Sequence, residues 1–298
     1  MTTGPQRASA ARRALRDALA SDRFLMLPGA FNPLSAKLVE AKGFGGVYLS
    51  GAVMAAELGL PDIGLTTLTE VTSRAREVAR ATTLPVLVDA DTGFGEVVNV
   101  ARTVELLEDA GVAGFHVEDQ VNPKRCGHLD GKEVVDDATA VRRVATAVAA
   151  RRDPDTVVVA RTDVRGVASL EAAIERSRAL VDAGADVLFP EALQSLSEYE
   201  AFRDAVDVPI LANVTEFGKN RLFSVDELRS AGVSLAIYPV SLLRLAMGAA
   251  DRALDTLLAE GTLEAHVPQM QTRAELYELL EYASYNALDA SIFTYGED

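Results

Sequence analysis

Two kinds of hydrophobic pattern alternate along the chain. Short runs rich in β-branched residues are each followed by a longer segment in which apolar residues recur every three or four positions, the spacing of an amphipathic helix. The predicted strands are 24–28, 46–50, 85–91, 114–119, 156–163, 187–191, 208–215 and 235–240. The predicted helices include 68–82, 97–110, 138–151, 170–183, 196–205 and 225–231. This alternation predicts an α/β fold built on parallel strands.

The number and composition of the strands favour a closed barrel over an open sheet. Apolar residues are nearly continuous at 86–88 and 157–160, as in parallel strands that are buried on both faces. Several helical segments end in Ala-Gly, which places a glycine at the helix C-terminus. No GxGxxG phosphate loop follows the first strand, in contrast to dinucleotide-binding folds. We therefore predict a (β/α)8 TIM-type barrel.

The two ends of the chain lie outside this alternation. We expect residues 1–10 to form a flexible N-terminal tail and residues 11–298 to form a single barrel domain. That domain includes a C-terminal helical extension over about 261–298. Within the extension, the segment 273–286 predicts a helix with a broad apolar face, which we expect to contact another subunit.

Composition and charge narrow the class of protein. With 49% hydrophobic and 24% charged residues, the chain has the composition of an ordinary globular protein. A formal net charge of -15 disfavours nucleic acid and anionic membrane surfaces as partners, and we expect neither. An anionic substrate would need a local cation or metal to overcome this charge. The single cysteine, Cys126, suits a reducing compartment, so we expect the cytoplasm.

Polar residues gather where the predicted strands end. In a barrel these ends share one rim, and active sites are built on that rim. The residues are Ser50, Asp89, Asp91, Glu118, Asp119, Arg161, Asp163, Glu191, Asn213 and Thr215. Any one of them could simply mark the end of a strand, but their joint pattern predicts one polar pocket.

The segment after the fourth strand carries the strongest candidates for chemistry. Lys124, Arg125 and His128 surround Cys126 with positive charge, which tunes a thiol toward a useful acid–base range. The glycines of this segment suit a mobile loop. An inert buried thiol is the alternative. Zinc binding has weak support, because one Cys-x-His pair lacks the spacing that places two ligands on one metal.

Further residues suit an anionic substrate and its counter-ion. Asp89 and Asp91 can both reach the rim and suit Mg2+, although aspartates that cap the next turn are an equal alternative. Arg161 either holds a substrate carboxylate or neutralises nearby acids. His116 lies inside a strand and is open to interpretation as a core histidine. Hydroxyl and backbone N–H groups after the second strand offer an anion cradle at Tyr48, Ser50, Gly51 and Ala52.

Nearly the whole chain, from about Arg13 to Tyr295, resembles the isocitrate lyase and phosphoenolpyruvate mutase superfamily. The segment Lys124-Arg125-Cys126-Gly127-His128 is similar to the active-site signature of that superfamily. The other matching motifs are Tyr48-Leu49-Ser50-Gly51, Leu58-Gly59-Leu60-Pro61-Asp62, Asp89-Ala90-Asp91-Thr92-Gly93-Phe94-Gly95, Ala160-Arg161-Thr162-Asp163, Asn213-Val214-Thr215-Glu216-Phe217 and Met270-Gln271-Thr272-Arg273. Isocitrate lyases proper are longer and carry Lys-Lys-Cys-Gly-His in the loop.

The resemblance implies a role for each matching position. The catalytic residues would be Cys126 as general acid, Tyr48 as candidate base, His128 and Lys124. The substrate would be bound by Ser50, Gly51, Ala52, Cys126, Gly127, Arg161, Glu191, Asn213, Thr215, Arg244 and Arg273. The cofactor would be Mg2+, with Mn2+ as the other candidate ion, held by Asp89 and Asp91 with Asp62 and Glu118 as outer or water-mediated partners. A homotetramer with C-terminal helices exchanged between subunits is also implied.

The implied reaction is a Mg2+-assisted retro-Claisen cleavage of a methylated tricarboxylate, which releases pyruvate and succinate. Cys126 would protonate the succinate carbanion, and Phe189 and Ile237 are candidate walls for the methyl group. Family members often have glycine at the position of Ala52, so its methyl group should tighten the pocket. Two other hypotheses for the function stay open. One is another superfamily reaction on isocitrate, oxaloacetate or phosphonopyruvate, and the other is a non-catalytic carboxylate-binding barrel.

Overall fold

All eight predicted strands are present in the structure, a computed structural model that describes residues 4–125, 127, 131–218 and 221–293. The strands are β1 (Leu25–Pro28), β2 (Val47–Leu49), β3 (Val86–Asp89), β4 (Gly114–Glu118), β5 (Val157–Thr162), β6 (Val187–Pro190), β7 (Leu211–Asn213) and β8 (Leu235–Tyr238). Each lies within its predicted segment, because a continuous apolar run is a local signal that a buried parallel strand imposes on the sequence.

Parallel pairing joins these strands into the predicted (β/α)8 barrel. Strands β2 to β6 pair in chain order, and β8 pairs with both β1 and β7. Single parallel bridges, from Gly29 to Tyr48 and from Leu188 to Ile210, connect β1 to β2 and β6 to β7. The ring therefore closes, and the carboxyl ends of the described strands share one rim.

Helices follow the strands as the periodicity predicts. Those of the described residues are α1 (Gly4–Leu19), α2 (Pro33–Ala41), α3 (Gly51–Glu57), α4 (Leu68–Ala81), α5 (Val97–Ala110), α6 (Asp137–Ala150), α7 (Leu170–Asp182), α8 (Leu196–Ala205), α9 (Val225–Ser230), α10 (Ser241–Glu260), α11 (Arg273–Leu279) and α12 (Tyr282–Phe293), with 3-10 turns at Val164–Gly166 and Glu264–Gln269. Helices α2 and α3 were not predicted, because each is too short for a clear apolar period. None of the helices described here is long and apolar enough to cross a membrane.

Apolar side chains fill the inside of the barrel, so it is a packed core and not a pore. The interior cluster includes Leu25, Leu27, Tyr48, Leu87, Val157, Val159, Val187, Phe189, Leu211, Leu235 and Ile237. Leu15 of α1 is buried in the same cluster, beside residues with which the strands begin. Helix α1 therefore covers the amino-terminal end of the barrel, opposite the rim.

The flexible tail predicted for 1–10 is wrong from its fourth residue onward, where α1 begins; its first three residues lie outside the described part. The helix is anchored further along. Arg12 Nη2 donates to the carbonyl of Glu108 at 2.7 Å, and Arg16 Nη1 lies 2.7 Å from Asp186 Oδ1. Because these partners are distant in the sequence, the local pattern did not reveal them.

The chain divides into two compact units, Met1–Leu243 and Arg244–Asp298, whereas the sequence predicted one domain with an extension from about residue 261. In the second unit, the single helix predicted over 273–286 is split into α11 and α12. Glu281 lies between them with a left-handed φ of +57°. No described side chain of α11 or α12 is buried.

Candidate active site

A connected set of polar side chains joins the carboxyl ends of β2 to β7. Contacts run in strand order from Gly51 to Asp89, Asp89 to His116, Glu118 to Arg161, Arg161 to Glu191 and Glu191 to Asn213. The structure therefore brings the predicted strand-end residues into one site, as the barrel geometry requires.

The two aspartates after β3 are held by backbone hydrogen bonds. Asp89 accepts the N–H of Asp91 on Oδ1 and the N–H of Gly51 on Oδ2, each at 3.0 Å. Asp91 has a left-handed φ of +46°, a conformation that aspartate tolerates better than most residues. A Cβ atom on Gly51 would lie 2.8 Å from Asp89 Oδ2, so only glycine permits this approach. The turn thus aims both carboxylates at the rim.

Lys124 bridges two of the predicted metal-site carboxylates. Its buried ammonium pairs with Asp62 and lies 2.9 Å from Asp91 Oδ1. Burial alone would lower the pKa of Lys124, but Asp91, Asp89 and Glu118 hold it well above its usual value. Lys124 is therefore a permanent cation, which suits it to stabilise negative charge and not to accept a proton.

The neighbouring aspartates have opposite acid–base properties. Burial and the charge of Asp89 raise the pKa of Asp91 to about 6. Burial also opposes the ionisation of Asp89, but His116, Lys124 and Arg161 hold its pKa below its usual value. Because burial lowers the pKa of His116 to about 4, the cations that face Asp89 at pH 7 are Lys124 and Arg161. Asp89 is the ionised member of the pair.

Arg161 is the second buried cation of the site. Its Nη1 lies 3.1 Å from Glu118 Oε2, and its Nε lies 3.0 Å from Asp163 Oδ2 and 3.8 Å from Glu191 Oε2. Burial would lower the pKa of Arg161, but these acids raise it well above its usual value. The guanidinium also lies over the Phe189 ring, 5.2 Å from its centre. Both sequence interpretations of Arg161 remain compatible with this position.

Glu118 is buried without a hydrogen bond to either carboxylate oxygen among the described residues. Its contact with Arg161 is an ion pair that lacks hydrogen-bonding geometry. Burial raises the pKa of Glu118 well above its usual value, although Arg161 and Lys124 oppose the shift. Unsatisfied acceptors inside a protein are rare, and they point to a group that binds there.

Tyr48 and His116 form a buried pair at the bottom of the site. The Tyr48 hydroxyl lies 2.8 Å from His116 Nε2, and the same nitrogen is 3.5 Å from Asp89 Oδ1. Burial and the charge of Asp89 raise the pKa of Tyr48 well above its usual value, so an ionised Tyr48 needs added positive charge. His116, open to interpretation as a core histidine, belongs to the site by these contacts.

The remaining predicted residues fall into three groups. Ser50 is buried at the start of α3, Ala52 lies in that helix, and Thr215 follows β7. Asn213 Nδ2 donates to Glu191 at 3.2 Å. Cys126 and His128 lie outside the described residues, and Arg244 and Arg273 belong to the second compact unit. Their roles stay predictions.

The donor set fits Mg2+ in chemistry but is not a closed cage. No three His, Cys, Asp or Glu side chains of the described residues converge on one point to hold a metal. Lys124 instead bridges Asp62 and Asp91. Because Mg2+ is usually held by one or two carboxylates and keeps several waters, Asp89 and Asp91 would suffice as protein ligands. The unsatisfied oxygens of Glu118 suit a water-mediated contact.

Sequence reasoning identified only part of a hydrogen-bond network that supports this site. Asp119 accepts the backbone N–H of Asp163 at 2.9 Å and the hydroxyl of Thr162 at 2.7 Å, and it pairs with Arg176 at 2.8 Å. Asp119 and Asp163 were predicted to lie on the rim, but Arg176 lies on a helix. Nothing in the local pattern distinguishes Arg176 from a solvent-exposed arginine.

Comparison with known sequences adds independent findings. Residues 15–258 match the family described as phosphoenolpyruvate phosphomutase. A Corynebacterium glutamicum protein named probable 2-methylisocitrate lyase 2 is 58% identical over 96% of this chain and 94% of its own. The 2-methylisocitrate lyase of Escherichia coli is 49% identical over 92% of this chain and 93% of its own.

Solved structures share the fold over nearly the whole chain. Oxaloacetate acetylhydrolase in complex with 3,3-difluorooxalacetate aligns with a TM-score of 0.90 at 34% identity, over 95% of this chain and 97% of its own. Phosphonopyruvate hydrolase in complex with oxalate and Mg2+ aligns with a TM-score of 0.85 at 29% identity, over 94% of this chain and 98% of its own.

Proposed function

The chain belongs to the phosphoenolpyruvate phosphomutase family, and we propose that it is a carbon–carbon lyase that cleaves 2-methylisocitrate into pyruvate and succinate. The observation that carries this proposal is the 58% identity, over nearly full length, with a probable 2-methylisocitrate lyase. Oxaloacetate acetylhydrolase, a family relative with a different reaction, is only 34% identical.

The electrostatics of the rim support a polyanionic substrate. Lys124 and Arg161 are buried cations in a protein of net charge -15, and both are held in the charged form by acids. A substrate carboxylate meets Arg161 as a bidentate partner, and the hydroxyl of Ser50 is a further donor. Gly51, whose N–H donates to Asp89, contributes a close backbone approach. Glu191, Asn213 and Thr215 complete the substrate-binding set on β6 and β7, with Gly127, Ala52, Arg244 and Arg273 as the other proposed contacts.

Cleavage begins with loss of the proton of the tertiary hydroxyl group. Tyr48 is the proposed base, and its hydroxyl lies 2.8 Å from His116 Nε2, which accepts the hydroxyl proton when the neutral imidazole is protonated on Nδ1. The carbon–carbon bond then breaks, and its electron pair stays on the succinate fragment while the hydroxyl carbon becomes the carbonyl of pyruvate. Cys126 gives its thiol proton to the carbanion, and Lys124, with His128, stabilises the negative charge.

Asp89 and Asp91 are the proposed protein ligands of Mg2+, with Asp62 and Glu118 acting through water. Bound Mg2+ would supply positive charge that stabilises the keto-acid oxygens and favours ionisation of Tyr48. The same donors accept Mn2+, because both ions prefer carboxylate and water oxygens. Restoration of activity by each ion after treatment with EDTA measures this preference.

We also propose a homotetramer in which the C-terminal helices pack on neighbouring subunits. Leu258 in α10 is 90% exposed and Phe293 in α12 is 77% exposed, although both are large apolar side chains. Large apolar patches on a protein surface usually mark an interface, and further exposed apolar side chains lie on the same two helices, including Leu254 on α10 and Ile292 on α12. Sedimentation velocity gives the mass directly, and a monomer at micromolar concentration would contradict the assembly.

The single cysteine, Cys126, supports a reducing, cytoplasmic location.

The decisive experiment is a coupled assay of the keto acid released from 2-methylisocitrate and from isocitrate. We expect pyruvate from the former and negligible glyoxylate from the latter. Discrimination by one methyl group is worth only about 1–3 kcal/mol in a fitted pocket. Turnover of oxaloacetate or phosphonopyruvate instead would assign another reaction of the family. Calorimetric binding of Mg2+ and pyruvate without any turnover would support a carboxylate-binding barrel.

A further inference from the structure

Two buried polar side chains hold the residues on either side of Cys126. Gln120 Nε2 donates to the carbonyl of Arg125 at 2.9 Å, and Gln120 Oε1 accepts the Arg125 N–H at 2.8 Å. Lys132 Nζ donates to the carbonyl of Gly127. The side chain of Lys132 is 2% exposed and Gln120 is fully buried. The backbone is therefore held immediately before and immediately after position 126.

Both residues are themselves anchored to the barrel, Gln120 through its backbone and Lys132 through its side chain. The carbonyl of Gln120, which follows β4, accepts a hydrogen bond from Arg143 Nη1 at 2.8 Å. Lys132 Nζ lies 2.7 Å from Asp163 Oδ1, and Asp163 in turn pairs with Arg161. The contacts of Lys132 thus connect the peptide after Cys126 to the cation that is proposed to bind the substrate.

Gly127 lies directly against that same part of the site. A Cβ atom at Gly127 would approach Arg161 Nη2 to 2.6 Å and the Glu191 carboxyl carbon to 2.7 Å. Lys132 therefore holds Gly127 in contact with two proposed substrate-binding residues. A small shift of this peptide would change the shape of the site beside Arg161 and Glu191.

We propose that Gln120 and Lys132 are positioning residues that fix the peptide around Cys126 for proton transfer, an inference that rests on the proposed lyase function. Burying an ammonium and an amide is unfavourable unless each is fully hydrogen-bonded, and apolar side chains would pack the loop at lower cost. Here both side chains direct their hydrogen bonds at the backbone of residues 125 and 127. Such bonds fix the backbone of Arg125 and Gly127, the residues that flank Cys126 in the sequence, whichever side chains these positions carry.

Gly166 offers an independent way to displace Lys132. It lies in the 3-10 turn after β5, and a Cβ atom there would come within 2.8 Å of Lys132 Nζ and 3.1 Å of Lys132 Cε. The end of a lysine side chain moves easily. Gly166→Ala should therefore push the ammonium off the Gly127 carbonyl while leaving the lysine and the barrel intact.

The test compares Lys132→Met, Gln120→Met and Gly166→Ala with the unmodified chain by kcat, KM and alkylation of Cys126. Because the chain has one cysteine, iodoacetamide incorporation followed by intact mass reports this position alone. We expect kcat to fall about 10- to 100-fold, as for a misplaced catalytic group, with KM changed much less. Alkylation should become severalfold faster, because the released peptide is freer to meet the reagent. Lys132→Arg, which keeps a donor, should recover part of the kcat.

Lys42→Met, at an exposed lysine, is the matched control and should behave like the unmodified chain. Unchanged kcat and unchanged alkylation in both Lys132→Met and Gly166→Ala would overturn the proposal. So would a lower melting temperature with an unchanged alkylation rate, since that is the signature of a purely structural role. If the unmodified chain does not cleave 2-methylisocitrate, the proposed function fails, and the alkylation rates still decide the positioning.

Discussion

The two ends of the barrel use the same kinds of buried charge in opposite ways. At the amino-terminal end, the carboxylate of Glu108 accepts hydrogen bonds from Arg152 Nε at 2.9 Å and from the hydroxyl of Thr156 at 2.8 Å. At the rim, the carboxylate of Glu118 meets Arg161 without hydrogen-bonding geometry and accepts no hydrogen bond from the described residues. Both glutamates are buried.

The difference distinguishes a buried carboxylate that stabilises the fold, Glu108, from one whose oxygens are available to a ligand, Glu118. A satisfied buried carboxylate contributes to stability, whereas an unsatisfied one carries a desolvation penalty that a bound group can relieve. TIM barrels place stability at the amino-terminal end and chemistry at the rim. Substitutions at the two ends should therefore have separable effects, the first on unfolding and the second on turnover.

The largest effect should come from the rim. Cys126→Ser should lower the rate of pyruvate release about 10²- to 10⁴-fold, the contribution of a general acid, because a serine hydroxyl is a far weaker acid than a thiol. The melting temperature should stay within a few degrees. Full activity in this variant would remove Cys126 from the mechanism.

Leu15→Ala should have the largest effect at the opposite end. It removes a buried side chain from the cluster under the strands, so the free energy of unfolding should fall by about 2–5 kcal/mol. Because Leu15 is remote from the rim, kcat/KM should change less than about twofold. Urea unfolding measures the loss, and Val98→Ala, at an exposed position, is its control. A comparable loss of turnover in the folded enzyme would show that the two ends are coupled.

Glu108→Gln should lower the free energy of unfolding by about 1–3 kcal/mol, because the amide cannot accept all the hydrogen bonds that the carboxylate accepts. These include the backbone N–H groups of Arg152 and Asp153. Turnover by the folded variant should be unchanged. An unfolding energy equal to that of the unmodified chain would mean that this network contributes no net stability.

Glu118→Gln should change the free energy of unfolding least, and in the opposite direction. We expect a gain of about 1 kcal/mol in the presence of EDTA. The pKa of Glu118 is raised above its usual 4.5, so its ionisation destabilises the folded state at higher pH. The advantage of the variant should therefore be absent below about pH 4.5 and grow as the pH rises. Urea unfolding at several pH values measures it, and turnover should fall. A lower free energy of unfolding for Glu118→Gln than for the unmodified chain at pH 8 would contradict the idea that the Glu118 carboxylate destabilises the fold.

The sequence predicted those parts of the fold that depend on local pattern. Each strand lies within its predicted segment, and α5 and α8 have their predicted bounds, because periodicity and composition are local. Helix α1 was missed because its partners, such as Asp186, are remote in sequence. The break at Glu281 was missed because the apolar pattern runs through it.

The candidate site divides in the same way. Strand ends and motif resemblance identified the residues at the rim, since the barrel topology brings strand ends together. They did not reveal that Lys124 bridges Asp62 and Asp91, or that Tyr48 is paired with His116. Those contacts depend on side-chain directions in three dimensions, which neither periodicity nor composition encodes.

The anchoring of α1 has a consequence for synthesis on the ribosome. Its arginines are made early, yet Arg12 pairs with Asp153, 141 residues later, and Arg16 pairs with Asp186, 170 residues later. Helix α1 therefore cannot complete its ion pairs at the amino-terminal end of the barrel until Asp186, just before β6, has emerged from the ribosome. In ribosome-bound chains that end before Asp186, Leu15 should be accessible to chaperones. In longer chains it should be buried.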